Sequence, residues 1–530
     1  MMRFGTAWLL VSVALVVSGC GGSSSGSGTS TPPVVPTVSS TTPAGGSTGV
    51  AVNATITATF SHAMNVASIN SATFLVTGPG SGAVAGTVTY SSSSSMATFT
   101  PGAALANSTT YTATITTGAT DSAGAALASN YVWTFATGAP PGMATIDFGS
   151  SNQTIRGFGG STAWMPEMPS GQASALFGNG ANQLGLSILR LRIDPSSVTG
   201  GSNWATELGN AQEAQALGAI VIATPWTPPA AFKSNNSTVG GVLNPGSYAA
   251  YATYLESFVT YMSNGGVNLY GISMQNEPDA NVTYESCSWT GATMDTWIAN
   301  NASVLTTRLM MPESESFNTS LSDAALNDAN AVSHIAIVAG HIYGTTPSYY
   351  SNAEGKGKEV WMTEHYLSPS GTQPSIADAL AAAKEINNSL TVGDYNAYLW
   401  WWVVDWNPGT GVTNYGLLDT NNNPTYYGYA LAQYSKFVRL GYVRTNATAN
   451  PTTNVYVSAF QGNGHYVIVA LNMGTSSVSQ PFTLQNGTIT TLTPYQTTSA
   501  GGLVQQTAIT VSGGQFAYTL PAQSITTLVQ

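Results

Sequence analysis

Hydrophobic and polar positions fall into three stretches of different period. Between about residues 38 and 138, short runs alternate apolar and polar side chains, as in Thr55–Phe60, Gly86–Tyr90, Met96–Thr100, Tyr111–Thr117 and Tyr131–Phe135. A period of two puts every second side chain on one face, the pattern of a strand with one buried side. Gly, Pro, Asn and Ser punctuate the runs and no helical period appears, so this stretch predicts an immunoglobulin-like all-β sandwich. Between about 144 and 435 the pattern changes. Apolar runs at Leu186–Ile193, Ala219–Ala223, Leu269–Met274, Ile335–Ile342, Glu359–Thr363 and Asn396–Val404 predict buried strands. Helical stretches such as Ser247–Ser263 and Ile376–Asn387 lie between them. Strand–helix alternation of this length predicts an α/β architecture, and a (β/α)8 TIM barrel fits, with the first strand of the segment contributing to a side domain. Beyond Ser435 short strands return at Val455–Phe460, Tyr466–Leu471, Phe482–Leu484 and Gln515–Leu520. They predict a side β-sandwich over residues 436–530, fused to the barrel.

With 530 residues the chain exceeds one ordinary domain. Its first residues read as an address. Arg3 precedes an apolar run, Ala7–Val17, too short to span a bilayer, and Val17-Ser18-Gly19-Cys20 resembles a bacterial lipobox. The expectation is a lipoprotein signal peptide over 1–19, lipidation at Cys20, and a Gly/Ser/Pro tether over 20–37. Residues 139–143, Ala-Pro-Pro-Gly-Met, read as a second linker. The expected location is the bacterial cell envelope or surface through the lipid, with secretion as the alternative.

Composition narrows the partners. Only 7% of residues are charged, against about 25% in an average soluble protein, so Ser, Thr, Asn and Gly must carry solubility. Twelve basic residues and a net charge of −11 leave no patch suited to nucleic acid, and a neutral or cationic partner fits better than a polyanion. The two cysteines, Cys20 and Cys287, are too few for a metal cluster or a disulfide framework, and Cys287 reads as a plain free thiol. His341 and His365 have no metal-ligand spacing, so neither metal nor cofactor is expected. The chain is expected to be a monomer.

Barrel enzymes carry their chemistry at the C-terminal ends of strands. Glu277 follows one strand, in Ser-Met-Gln-Asn-Glu-Pro-Asp, and Glu364 follows another, in Trp-Met-Thr-Glu-His-Tyr. Two carboxyl groups at one barrel mouth can hydrolyse a glycosidic bond. Asn276 beside Glu277 can place an amide on a sugar hydroxyl. Arg190 shares an alternate face with Arg192 and Asp194, and an inward guanidinium would keep Glu364 ionised. His341 and Tyr343 share a face at another strand end, where both could support the nucleophile. Glu313, in Met-Met-Pro-Glu-Ser, also ends a strand-like run and competes with the pair. Glu207, Glu213, Glu256 and Glu385 lie on helical stretches and read as solvated. Trp164, Trp226, Trp289, Trp297, Trp361 and Trp400–Trp402 could pack on sugar faces or fill the core. The period of two turns Trp401 away from Trp400 and Trp402.

Longer motifs follow in order: Ile155-Arg156-Gly157-Phe158-Gly159-Gly160, FGNGANQLGLSILRLRID, ATPWTPP, GVNLYGISMQNEPD, HIYGT, VWMTEHY, AYLWWW, YSKFVRLGYVR, NVYVSAF and LPAQSITTLV. From about Gln153 to Val529 the chain resembles glycoside hydrolase family 30, subfamily 8, the glucuronoxylanase-type xylanases. The stretch TTPAGGSTGVAVNATITATFSHAMN resembles bacterial Ig-like repeats. The family resemblance implies a retaining xylanase with Glu277 as acid/base and Glu364 as nucleophile. It implies that Asn276, Trp164, Trp226 and Tyr343 line the cleft. Trp289, Tyr366 and Trp402 complete the expected sugar-binding set, and Arg190 and His341 the support of the nucleophile. The mechanism then asks for a raised pKa at Glu277 and a low one at Glu364. One departure stands out. The subfamily's glucuronate-gripping Arg after the strand-eight tryptophans is missing, and no Lys or Arg occurs between Trp400 and Lys436. Asp405 in its neighbourhood would repel a glucuronate. The expected substrate is therefore β-1,4-xylan without dependence on glucuronate branches. The rivals are a β-1,6-glucanase or glucosylceramidase-like activity on the same fold, and a surface protein that binds glycans without cutting them.

Overall fold

The computed structural model describes residues 35–107, 109–138, 142–196, 202–405 and 414–530. The expected signal peptide, Cys20, most of the tether, and residues 139–141 of the linker lie outside the described residues. The chain divides into two compact units, one up to Ala139 and one from Pro140.

The first unit is a pair of four-stranded sheets. One has the order Val38–Thr42, Ile56–Phe60, Met96–Pro101, Gly86–Ser91; the other Ser47–Val50, Tyr131–Thr137, Thr110–Ile115, Phe74–Thr77. Alternate residues of Ile56–Phe60 are buried, as the period of two requires. Between the sheets Phe74 packs on Phe99 and Trp133, with ring centroids 5.8 and 5.9 Å apart.

The second unit holds a closed barrel of eight parallel strands. They are β1 (Gly157–Ser161), β2 (Ile188–Ile193), β3 (Ile220–Pro225), β4 (Leu269–Ser273), β5 (Arg308–Ser314), β6 (Ile335–His341), β7 (Glu359–Glu364) and β8 (Ala397–Trp402). The hydropathy pattern misses β1, whose Gly-Phe-Gly-Gly-Ser sequence has no alternation. Here the strands approach too closely for side chains, and a Cβ on Gly159 would collide with the carbonyl of Ile188. Along β2 the alternation sorts side chains into layers. Ile188 joins Ile222, Met310, Ile337, Trp361 and Leu399 in the barrel floor, while Leu189, Leu191 and Ile193 face the surrounding helices. Arg190, on the inward face, stands one layer above Ile188 toward the mouth.

Two helices position the mouth directly. Tyr248–Asn264 buries Tyr251, Leu255, Phe258 and Met262 on one face, and the Tyr251 hydroxyl donates to the Met274 carbonyl just past β4 at 2.7 Å. Ile376–Thr391 begins with a capping box between Ser375 and Asp378. It carries Glu385 to His365 and Tyr398, at 2.8 and 2.6 Å.

The side sandwich takes strands from both ends of this unit. Ala144–Asp147 lies between Val443–Ala447 and Val478–Gln485 in a ten-stranded sheet. Its core includes Ile146, Phe148, Val457, Ile468, Phe482 and Leu528. Helix Tyr426–Ser435 joins barrel to sandwich through buried Gln433, which donates to Thr497 at 2.8 Å and accepts from the Thr527 hydroxyl at 2.5 Å. Among the described residues no helix is long and apolar enough to cross a membrane.

Candidate active site

The ends of β4, β5, β6 and β7 bring together four ionisable side chains. Beyond β4 the backbone bends so that Asn276 N–H donates to the Pro225 carbonyl and Glu277 N–H to the Glu313 carbonyl, at 2.8 and 2.9 Å. Glu277 and Glu313 both have positive φ, 44° and 52°, which costs energy in residues with a Cβ and is held here by the neighbouring strands. The bend turns the Glu277 carboxyl into the mouth. Its Oε2 accepts from the Tyr284 hydroxyl at 2.9 Å, and its Oε1 lies 3.0 Å from His341 Nδ1. Glu364, the last residue of β7, accepts from Arg190 Nη1 at 2.6 Å and from the Tyr343 hydroxyl at 3.1 Å. One oxygen of each glutamate and one His341 nitrogen all lie within 4.8 Å of one another.

Beneath the pair, Arg190 is fully buried and fully engaged. Besides Glu364 it donates through Nη2 to Asn276 Oδ1 at 2.7 Å and pairs with Glu313 at 3.2 Å. Glu313, the rival from sequence, is entirely buried and accepts from Thr224 at 2.9 Å. It is a counter-charge for Arg190 and does not line the cleft. With Asn276 Oδ1 occupied by Arg190, its amide N–H groups remain to meet a ligand.

The cavity above has a volume of about 570 Å³ and is lined by Trp164, Trp226, Trp401, Trp402, Tyr343, Tyr366, Tyr415 and Tyr284, together with Glu277, Glu315 and Glu364. Trp164, at φ 60°, meets Trp226 edge-on at 5.0 Å, and the guanidinium of Arg192 stacks over it at 5.0 Å. Tyr366 stacks on Tyr415 at 4.2 Å.

Several expectations need correction. The tryptophans of β8 do not alternate simply: Gly160 pairs with Trp400 and Ser161 with Trp402, so a bulge falls at Trp401. Trp401 and Trp402 consequently face the cleft together, with rings 5.2 Å apart and 21° from parallel, while Trp400 packs on Tyr427. Trp289 does not reach the cleft. It packs on Tyr248, Tyr251 and Trp297 and donates to Gln275 at 3.3 Å, one layer behind Trp226. Asp405 is buried and accepts from the Gly416 N–H at 2.6 Å, so it ties the loop after β8 and does not confront a branch. Glu207 is buried, accepting from Thr162, Arg192 N–H and Asn210, and burial raises its carboxyl to about 7. Cys287 is buried, and burial lifts its thiol to about 11, as suits an inert cysteine. Tyr284, Tyr415 and Glu315 join the cleft without a signal in the sequence, because loop residues carry no period that reports which way they face.

The electrostatic order also differs from the expectation. Burial acts against charge on both carboxyls. At Glu277 the bond to His341, the bond from Tyr284 and the charge of Arg190 outweigh it, and the carboxyl lies below its ordinary value. At Glu364 burial prevails, helped by the charge of Glu277 and opposed by His341 and Arg190, and the carboxyl lies above its ordinary value. His341 is itself raised: burial opposes its charge, but Glu364 and Glu277 favour it more. The imidazole thus supports Glu277 first. Its Nε2 stands 3.9 Å from Glu364 and is buried without a hydrogen-bond partner among the described residues. The three groups could offer ligand atoms to a cation, but Arg190, 2.6 Å from Glu364, sets a positive charge beside that position.

Known proteins share this architecture. The glycosyl hydrolase family 30 TIM-barrel domain model matches residues 206–359, the family 30 β-sandwich domain model residues 439–528, and the bacterial Ig-like domain model residues 32–137. The chain is 41% identical over 397 residues to a Bacillus subtilis (strain 168) protein named glucuronoxylanase XynC, covering 73% of this chain and 91% of that one. A family 30 subfamily 8 xylanase structure from Clostridium acetobutylicum superimposes with TM-score 0.68 at 42% identity, over 73% of this chain and 99% of that one. A family 30 endoxylanase from Clostridium papyrosolvens gives 0.66 at 41% identity over the same shares. With the barrel, the side sandwich and the matching relatives in agreement, the chain belongs to glycosyl hydrolase family 30.

Proposed function

We propose that this enzyme hydrolyses β-1,4-xylan with retention of configuration and without needing a glucuronate branch. The observation that carries retention is the spacing of the two glutamates, whose nearest oxygens lie within 4.8 Å. Retaining enzymes hold their carboxyl groups about 5–5.5 Å apart, whereas inverting enzymes leave room for a water between them. The relatives named as xylanases support the substrate. The aromatic walls suit the C–H faces of a neutral pyranose chain.

In the first step Glu364 attacks the anomeric carbon and Glu277 gives its proton to the leaving oxygen. In the second, Glu277 takes a proton from water, which displaces the sugar from Glu364. Arg190 and Tyr343 hold the attacking carboxylate in line. The proton for the first step is shared along the 3.0 Å line between His341 Nδ1 and Glu277 Oε1. When it moves onto Glu277, Nδ1 becomes the acceptor and Nε2 keeps its hydrogen, 3.9 Å from Glu364. Proton transfer within this pair arms the acid while leaving the nucleophile ionised.

The case against glucuronate dependence rests on spent cations. No Lys or Arg lines the cavity among the described residues. Arg190 is saturated below it, and Arg192 is clasped by Glu285 through Nε at 2.9 Å and Nη2 at 2.5 Å. Residues 406–413 lie outside the described residues, but their sequence contains no basic residue. The test is the product profile on glucuronoxylan, arabinoxylan, linear xylooligosaccharides and β-1,6-glucan, with Glu364→Gln as control. Cleavage of linear chains that the substitution abolishes supports the reading. Cleavage of xylan only beside glucuronate refutes branch independence, and cleavage of β-1,6-glucan alone refutes the substrate. The lipid anchor at Cys20 is a separate proposal, tested by whether Cys20→Ala releases the protein from membranes.

A further inference from the structure

We infer that Glu315 is a specificity-determining residue: its carboxylate accepts hydrogen bonds from the hydroxyls of a sugar unit on the Glu277 side of the cleft and excludes an acidic branch there. The inference rests on the xylan reading above and adds a position to it.

Glu315 follows directly on β5, one strand on from the exit that carries Glu277, and lines the same cavity. Its backbone is fixed from both sides. Its N–H donates to Asp279 Oδ1 at 3.0 Å, and its carbonyl accepts from the Tyr343 N–H at 3.2 Å. Asp279 is held in turn by the Ser314 hydroxyl at 2.7 Å. The Cα therefore cannot drift, and the half-buried side chain starts from a set position. Among the described residues no donor bonds to its carboxylate, in contrast to Glu277 and Glu364, which each have two partners.

An acceptor held in place with no partner inside the protein suits a ligand rich in donors. A pyranose offers adjacent hydroxyls, and a bond from each to a carboxylate is charge-assisted. The same charge works against an anion. Glu277 lines the same cavity and Asp279 holds the backbone of Glu315, so acidic groups already gather there; burial first, and then their charge, raises the carboxyl of Glu315 against the opposing charge of His341. A glucuronate carboxylate placed beside it would meet like charge in a cleft whose wall, among the described residues, offers no Lys or Arg to offset it. Across the barrel, β1 and β8 supply the rings that the opposite side of the sugar chain would pack on. Glu315 thus makes that side of the cleft polar and anionic, and it reads sugar hydroxyls there.

The test compares wild type, Glu315→Gln and Glu315→Ala on linear xylohexaose and on a glucuronate-branched xylooligosaccharide pool. KM and kcat are measured on the first; on the second, mass spectrometry places the branch relative to each cleaved bond. The amide keeps an acceptor without the charge. Glu315→Gln is expected to hold KM on the linear chain within about threefold and to yield branched products absent from the wild-type digest. Glu315→Ala is expected to raise KM about tenfold with kcat little changed, as one lost sugar bond requires. Identical branch positions in all three digests, or an unchanged KM in Glu315→Ala, overturn the inference. A wild-type enzyme that ignores xylohexaose defeats branch independence instead. The branch positions in the pool then still decide the role of Glu315.

Discussion

Strand β7 carries a glutamate at each end, and an arginine meets each one. At the start of the strand Glu359 pairs with Arg156 at 2.6 Å, and both side chains reach solvent, at 22% and 30% exposure. At its end Glu364 pairs with Arg190, also at 2.6 Å, but the arginine is wholly buried. The separations match and the physics does not. In water the charges of the outer pair are well solvated before they meet, so the contact contributes little. In the mouth the charges must first lose their water, and that loss is offset by the bonds that Glu364 accepts from Arg190 and Tyr343. The same end of the barrel holds the left-handed backbone at Glu277 and Glu313 and a His341 Nε2 that has no hydrogen-bond partner among the described residues. The bottom of this barrel carries a solvated pair, whereas its top spends stability to hold charges out of water.

Substitutions at the two ends should separate these roles. The largest effect belongs to Arg190→Met, which strands Glu364 and Glu313 in the interior. It is expected to cost about 3–5 kcal/mol in urea unfolding and to remove activity. A loss no larger than that of a surface pair would remove the distinction between the ends.

Next comes Glu207, another buried carboxyl near the mouth, between Thr162 and Arg192 N–H. Its folded-state pKa of about 7 lies above the ordinary 4.5, so the folded protein holds this proton more tightly than the unfolded chain. Its contribution is fully present below pH 4.5 and is lost as pH rises to about 7. That loss amounts to about 3 kcal/mol at the upper end. Urea titrations at several pH values should show Glu207→Gln losing less stability over this window than wild type; parallel curves would refute the assignment.

His341→Gln tests the shared proton. Without the imidazole, burial acts on Glu277 with less opposition and its carboxyl should rise. The proton then sits on Glu277 alone instead of on a pair whose imidazole lies above its ordinary value, so the alkaline limb of the kcat/KM profile should move down in pH, with roughly tenfold less activity at the optimum. A limb that stays in place would mean that His341 only fills space. The smallest effect is expected of Arg156→Met, at about 0–1 kcal/mol with activity unchanged.

Much of this contrast is legible in the sequence, for a specific reason. Glu277 and Glu364 end apolar strands, and a charged residue at such a place has no ordinary role in the core. Arg190 is legible because strand alternation puts it on the face opposite Leu189 and Leu191. The readings that fail depend on information outside the strand period. The period of two sets Trp401 opposite both Trp400 and Trp402; the first relation holds, and one bulge brings Trp402 round to the cleft beside Trp401. Glu207 looks solvated on its helix because the loop that buries it comes from another part of the chain. Trp289 and Trp226 are the same residue type in similar surroundings, and only packing shows that one fills the core while the other walls the cleft. For His341 the sequence gives the strand face but not which ring nitrogen meets which carboxyl: Nδ1 meets Glu277, while Nε2 stands 3.9 Å from Glu364 and the imidazole's charge favours that carboxylate too.

The most direct test of the central claim is to trap the enzyme with an activated 2-deoxy-2-fluoro-xylobioside and locate the label by peptide mass spectrometry. The account predicts a covalent xylobiosyl ester on Glu364, formed at stoichiometry and absent in Glu364→Gln. A label on another residue, or no label together with a first product of inverted configuration, would contradict it.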